Sequence, residues 1–133
     1  MNYVLPFAAL VPAAILFVRI YRLDRIEKEP RRLLGTLILS GALAAIPAAV
    51  IQMLASRALA GALGRMSAAF LLLDNFLVVA CSEELCKIAP VRLAAWKNPA
   101  FDYRFDAVVY TVSSALGFAA IENILYVVQS DLR

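Results

Sequence analysis

From Leu33 to Ser56 the chain runs for 24 residues without a charged side chain. As an α-helix such a run is about 36 Å long, enough to cross the roughly 30 Å hydrocarbon core of a bilayer. Met1 to Val18 is likewise free of charge. Two further segments are as apolar but carry embedded charges. One, from about Ala68 to Val91, holds Asp74, Glu83, Glu84 and Lys87; the other, from about Ala107 to Ser130, holds Glu122. The segments lack period-two alternation and are too long for barrel strands. The expected fold is therefore all-α: a polytopic membrane protein with four transmembrane helices at about 2–20, 33–56, 68–91 and 107–130, in one membrane domain spanning 1–133. Composition agrees. The chain is 63% hydrophobic and 17% charged, against about 45–50% and about 25% in soluble domains. That excludes a disordered or collagen-like chain and gives no nucleic-acid partner; the expected surroundings are a lipid bilayer.

Charge placement orients the helices. No basic residue precedes the first apolar run, so it does not read as a cleaved signal peptide, whose positive charges come first. Arg19, Arg22, Arg25, Lys28, Arg31 and Arg32 follow it, and Arg92, Lys97 and Arg104 follow the third run; Arg57, Arg65 and Arg133 fall on the other side. Nine against three places the connections after helices 1 and 3 in the cytoplasm and both termini outside. Cys81 and Cys86 point about 140° apart on a helix, so they make no disulfide framework. Gly41, Ala44, Ala45, Ala48 and Ala49 in helix 2, and Ser113, Gly117 and Ala120 in helix 4, offer faces on which backbones approach closely. Pro47 is expected to kink helix 2. Trp96, Phe101, Tyr103 and Phe105 suit the headgroup layer. Asp102 and Asp106 are placed to cap helix 4. Asp74 reads as interfacial, and Asp24, Glu27 and Glu29 as ties from the charged linker to Arg92, Lys97 or Arg104.

The intramembrane charges carry the functional signal. Each charged side chain at mid-bilayer costs roughly 2.5–3.5 kcal/mol on insertion scales, and such residues mark functional sites. Glu83–Lys87 and Glu84–Lys87 are i,i+4 and i,i+3 pairs, so part of the cluster is explained as a structural ion pair. That leaves a second carboxylate beside the first, and Glu122 on another helix. Glu83, Glu84 and Lys87 fall within a sector of about 100°, so both carboxylates are expected to face one interior. An antiparallel helix 4 brings Glu122 and Asn123 toward it. Depth argues against a simple meeting: Glu83 lies about 13 Å from the inner end of its helix and Glu122 about 24 Å, so the helices must be offset or kinked.

Three stretches bear on identity: Asp24 with Glu27-Lys28-Glu29-Pro30, the EExxK run Glu83-Glu84-Leu85-Cys86-Lys87, and Gly117-Phe118-Ala119-Ala120-Ile121-Glu122-Asn123 with Tyr126. In this order they resemble the PrsW group of intramembrane proteases, relatives of the CAAX prenyl proteases and bacteriocin-immunity-type membrane proteins. The likeness covers most of the chain. It departs at Ala107 and Thr111, where the family carries glycine, and in the lack of any histidine. The resemblance implies a later, histidine-bearing membrane helix. On that ground the chain is expected to be the N-terminal part of a larger helical bundle, inactive alone and prone to self-association as a homo-oligomer. The implied activity is endopeptidase cleavage of a membrane-anchored protein, of the anti-sigma-factor type, in the plasma (inner) membrane.

Peptide hydrolysis needs an activated water, and the residues supply candidates. Glu83 or Glu84 is a general base, with Lys87 keeping one carboxylate ionised in low dielectric. Its neighbour or Glu122 is the acid. Asn123 is an oxyanion donor, or else an interhelical hydrogen bond. Zinc favours His and Cys, and the HExxH spacing is missing. The family is described as both metallo- and glutamic-type, so a divalent metal cofactor stays open. Two rival classes use the same glutamates: a small proton-coupled transporter and a non-catalytic membrane scaffold.

Overall fold

The computed structural model describes residues 4–23 and 28–131, with side chains at 10–23 and 28–128. Asp24, Arg25, Glu27 and Arg133, used above for the linker and the topology, lie outside the described residues. The described residues form four helical rods and no strand. These are α1 (Val4–Leu23), α2 (Arg31–Leu63), a composite α3 over residues 68–95, and α4 (Arg104–Asp131). Among the described residues a helix lies over each expected segment, and the ends of α2 and α3 and the start of α4 differ from those expected. Helix α2 runs seven residues past Ser56 because 57–63 (RALAGAL) is rich in strong helix formers. It stops at Gly64, whose φ of 75° is a left-handed conformation that side chains disfavour. Ser67 then caps α3, its Oγ accepting from Phe70 N–H at 3.1 Å. Pro47 is accommodated inside the unbroken α2.

Helix α3 is not uniform. An α-helical opening, Ala68–Leu73, widens into a π-helical stretch, Asp74–Ala80; an α-helical segment follows, Cys81–Pro90, and then a second π-helical stretch, Val91–Ala95. Helix α4 starts three residues before Ala107. Asp106, third in the helix, reaches back to accept the N–H groups of Asp102 (3.0 Å) and Tyr103 (2.7 Å). Of the two proposed caps, Asp106 does the capping, satisfying free amides at the helix start.

Helix α4 is central. It packs on α1, α2 and α3, and its contact with α2 is the most extensive. The reason is the small residues. A Cβ built on Gly41 would run into the backbone of Ser114, and one on Gly117 into the backbone of Ile38. The side chain of Ser114, buried at this crossing, donates to the Lys87 carbonyl at 2.6 Å and so ties α3 to the same point. Around this seam lie two apolar clusters. Leu34, Leu37, Val91, Ala95, Val109 and Tyr110 form one, covered by Phe17, Ile20 and Tyr21 of α1. Ala45, Ala48 and Phe118 form the other, with Cys86 against them.

The 28–30 linker is anchored differently from the expectation of ion pairs with Arg92, Lys97 or Arg104. Buried Glu29 meets the hydroxyl of Tyr110, which also lies 2.9 Å from the Ala100 carbonyl. Arg92 instead stands over the Trp96 ring, 4.6 Å from its centroid. Phe101, expected in the headgroup layer, packs against the core and stacks on Tyr110, while Trp96 and Tyr103 stay exposed. Asp74 accepts a hydrogen bond from Ser56, joining α2 to α3.

Among the described residues, two helices, Arg31–Leu63 and Arg104–Val128, are long and apolar enough on their own to cross a membrane. The glycine seam makes an opposed prediction. Gly41→Ala forces a methyl into the Ser114 backbone and should lower stability by roughly 1–3 kcal/mol. Gly35→Ala, where the added atom meets nothing, should raise it by up to about 1 kcal/mol through helix propensity. Thermal unfolding of both variants in detergent checks the signs.

Candidate functional site

Helix α3 presents Glu83 and Lys87 on the side that packs against α2 and α4. Lys87 Nζ lies 3.1 Å from Glu83 Oε2 and 3.0 Å from Glu84 Oε1. The two carboxylates differ in setting: the Glu83 side chain is 22% exposed and that of Glu84 75%. Among the described residues Glu83 lies toward α2 and α4, and Glu84 is exposed. Successive residues on a helix are about 100° apart, and only one of the two falls on the narrow contact face of α3. Glu84 sits outside and clasps Lys87 from the rim.

Across from α3, the residues Ser114, Phe118 and Glu122 follow one another at i, i+4 and i+8 along α4. Ser114 holds the Lys87 carbonyl, and the Lys87 ammonium stands 5.0 Å from the Phe118 ring centroid. Glu122 lies one turn further along the same face of α4. An offset between the two helices takes up part of the depth mismatch. Lys87 is eight residues from Ala95 and Ser114 is ten from Arg104, about 12 Å and 15 Å along their helices. Helix α4 thus begins a few ångströms beyond the end of α3. Asn123 follows Glu122 and is half-buried.

Glu122 lines a cleft of about 290 Å³ between α2 and α4, floored by Ala45, Ala48 and Ala49. Gln52 of α2 lines the same cleft and donates from Nε2 to Ser82 Oγ at 3.2 Å. Ser82, itself buried, donates to the Val79 carbonyl at 3.0 Å and immediately precedes Glu83. Sequence reasoning missed Gln52 and Ser82. Charge is what stands out in an apolar helix, and an amide passes as part of an uncharged run; the polarity of Gln52 inside that run was the available signal. Ser82 gave no signal beyond its neighbour.

Among the described residues, no group of three His, Cys, Asp or Glu is placed to hold a metal ion. Two inward carboxylates, one of them already engaged by an ammonium, do not make a metal site by themselves.

The fold and this site define a membrane-type helical bundle that sets a glutamate–lysine pair on one helix against a neighbouring helix carrying a second glutamate. The chain belongs to the PrsW family of intramembrane metalloproteases, whose family model matches residues 29–132. It is 31% identical over 126 residues to the Protease PrsW of Oceanobacillus iheyensis, covering 95% of this chain and 55% of that protein. The Protease PrsW of Geobacillus kaustophilus is 32% identical over 126 residues, covering 95% and 53%. That of Bacillus subtilis is 29% identical over 121 residues, covering 91% and 52%. The chain thus spans about half the length of the curated relatives it matches. No solved structure matches it.

The asymmetry of the two glutamates can be measured. Lys87→Met strands Glu83 without its counter-ion and should cost about 1–3 kcal/mol, the range for a buried polar group left unsatisfied. Glu84→Gln acts at the exposed rim and should stay within about 0.5 kcal/mol. Unfolding midpoints in detergent separate the two; equal losses would place Glu84 inside with Glu83.

Proposed function

We propose that this chain carries the carboxylate side of the active site of an intramembrane endopeptidase that cleaves membrane-anchored proteins. The observation that supports this best is the arrangement of Glu83, Lys87 and Glu122 on two packed helices: the Glu83–Lys87 pair sets its ammonium against Phe118, one turn from Glu122, which lines a cleft. The names and family of its relatives point to the same chemistry.

In this reading Glu83, its charge balanced by Lys87, takes a proton from a water as the water oxygen bonds to the scissile carbonyl carbon. Glu122 gives a proton to the departing nitrogen as the carbon–nitrogen bond breaks. Asn123 donates to the oxyanion. Return of the proton from Glu83 to Glu122 restores the site. Glu84 holds Lys87 from outside and so positions it, rather than touching substrate. No step is routed through a metal. The relatives are nearly twice as long, so the activity is proposed for a chain of their length, and residues 1–133 alone are expected not to cleave. An anti-sigma-factor type of substrate and self-association of the short chain remain part of the proposal.

The bundle is read as multi-pass in the plasma (inner) membrane, with four spans and the N-terminus outside. Outward apolar side chains on every rod support this: Ile15 on α1, Leu39 and Ile46 on α2, Phe76 and Leu77 on α3, Val108 on α4. Reporter fusions at residue 97 should score cytoplasmic and at residue 65 external; a cytoplasmic score at 65 overturns the topology.

Catalysis is tested with a chain of the relatives' length and a membrane-tethered reporter. Glu83→Gln and Glu122→Gln should each lower cleavage by a factor of about 10²–10⁴, the usual worth of a general acid or base. Glu84→Gln should cost far less. Cleavage that survives both inward substitutions removes the glutamate mechanism.

A further inference from the structure

The cleft beside Glu122 has a composition that an apolar packing defect would not have. Its lining includes alanines: Ala45 and Ala48 are buried against Phe118, and Ala49 is exposed, leaving room for another backbone at that position of α2. Its walls carry a carboxylate, Glu122, and an amide, Gln52. Only one hydrogen bond of the Gln52 amide is satisfied by the described residues, through Nε2 to Ser82 Oγ; the amide oxygen has no hydrogen-bond partner among them. Gln52 is half-buried, and an amide oxygen left unpaired in an apolar bundle is expensive.

We infer that Gln52 is a substrate-binding residue, and that the α2–α4 cleft takes an unwound peptide segment whose backbone it recognises. This rests on the proteolytic reading and names the subsite for it. The chemistry selects the ligand. A transmembrane helix satisfies its own N–H and C=O groups, so its backbone has nothing to offer an amide. Unwinding exposes those groups, and a carboxamide, with both a donor and an acceptor, is complementary to a peptide unit. Exposed Ala49 then admits the bare backbone where a larger side chain would hold it off. Glu122 lines the same cleft, so a peptide bound along Gln52 lies beside the proposed acid. The bond to Ser82 fixes the orientation of the amide from α3, one residue before Glu83.

The probes are two fluorescent single-span peptides in proteoliposomes, one with a central Gly-Pro break and one with an unbroken poly-Leu span. A photo-reactive phenylalanine analogue replaces Leu125, which lines the cleft, in a full chain made uncleaving by Glu122→Gln. The same analogue at Leu39, which is 63% exposed and outside the cleft, is the control. The broken peptide should label position 125 at least fivefold more than the unbroken one, with no such preference at position 39. Gln52→Leu should reduce that labelling about fivefold, and Gln52→Asn should recover part of it. Ser82→Ala, which removes the clamp but leaves the amide, should stay within twofold. Equal labelling by both peptides overturns the proposal. So does an equal loss in Gln52→Leu and Ser82→Ala, which would make Gln52 a structural clamp only. Labelling does not depend on turnover. If Glu83→Gln cleaves normally while the labelling pattern holds, the glutamate mechanism fails and the peptide subsite stands; the reverse pattern removes the subsite alone.

Discussion

The close crossing of α2 and α4 is the constraint on which the other features depend. Gly41 lies against the Ser114 backbone and Gly117 against that of Ile38, with no room for a β-carbon at either. In lipid there is little hydrophobic drive to bring helices together, so contact of this kind is a principal source of association. The crossing also buries Ser114, which finds its hydrogen-bond partner in the Lys87 carbonyl of α3. One point thereby fixes three helices. It sets how far α4 slides along α3, and so whether Glu122 comes within reach of Glu83.

The shape of α3 is matched to the residues it must present. Its Glu83–Lys87 segment is regular α-helix, between two π-helical stretches. Such widened turns are frequent at functional sites, and each shifts the angular phase of the helix beyond it. Here they place Glu83 and Lys87 toward the seam while Leu77 and Leu85 point outward. The ammonium is held by one carboxylate inside, one at the rim and an aromatic face below. A charge with so many partners is tolerable in an apolar bundle, where an unpaired one is not.

At the other end of the bundle a second polar tie serves a structural end. Glu29, just ahead of α2, is buried against the hydroxyl of Tyr110 in α4, and Phe101 closes over the tyrosine ring. This contact joins the linker before α2 to the turn before α4. It holds the end of the α2–α4 pair remote from the cleft, so the two helices are fixed at Tyr110 and again at the glycine seam.

Much of this was legible in the sequence for a simple reason. Membrane helices are selected by length and apolarity, both local properties, and Leu33–Ser56 declares itself without reference to any other segment. The charges inside α3 and α4 were equally visible because their cost in lipid is independent of fold. Spacing along one helix gave the Lys87 pairs, and the small residues gave the seam. Other features belonged to the tertiary structure. Glu83 and Glu84 are adjacent in sequence, and only the contact face of α3 decided which one turns inward. The offset of α4 depended on Ser114 meeting Lys87, a contact between residues 27 apart. Gln52 and Ser82 became part of the site, and Tyr110 the partner of Glu29, only when packing brought them together. An uncharged polar side chain carries little signal by itself, and its role is fixed by what it meets across a helix interface.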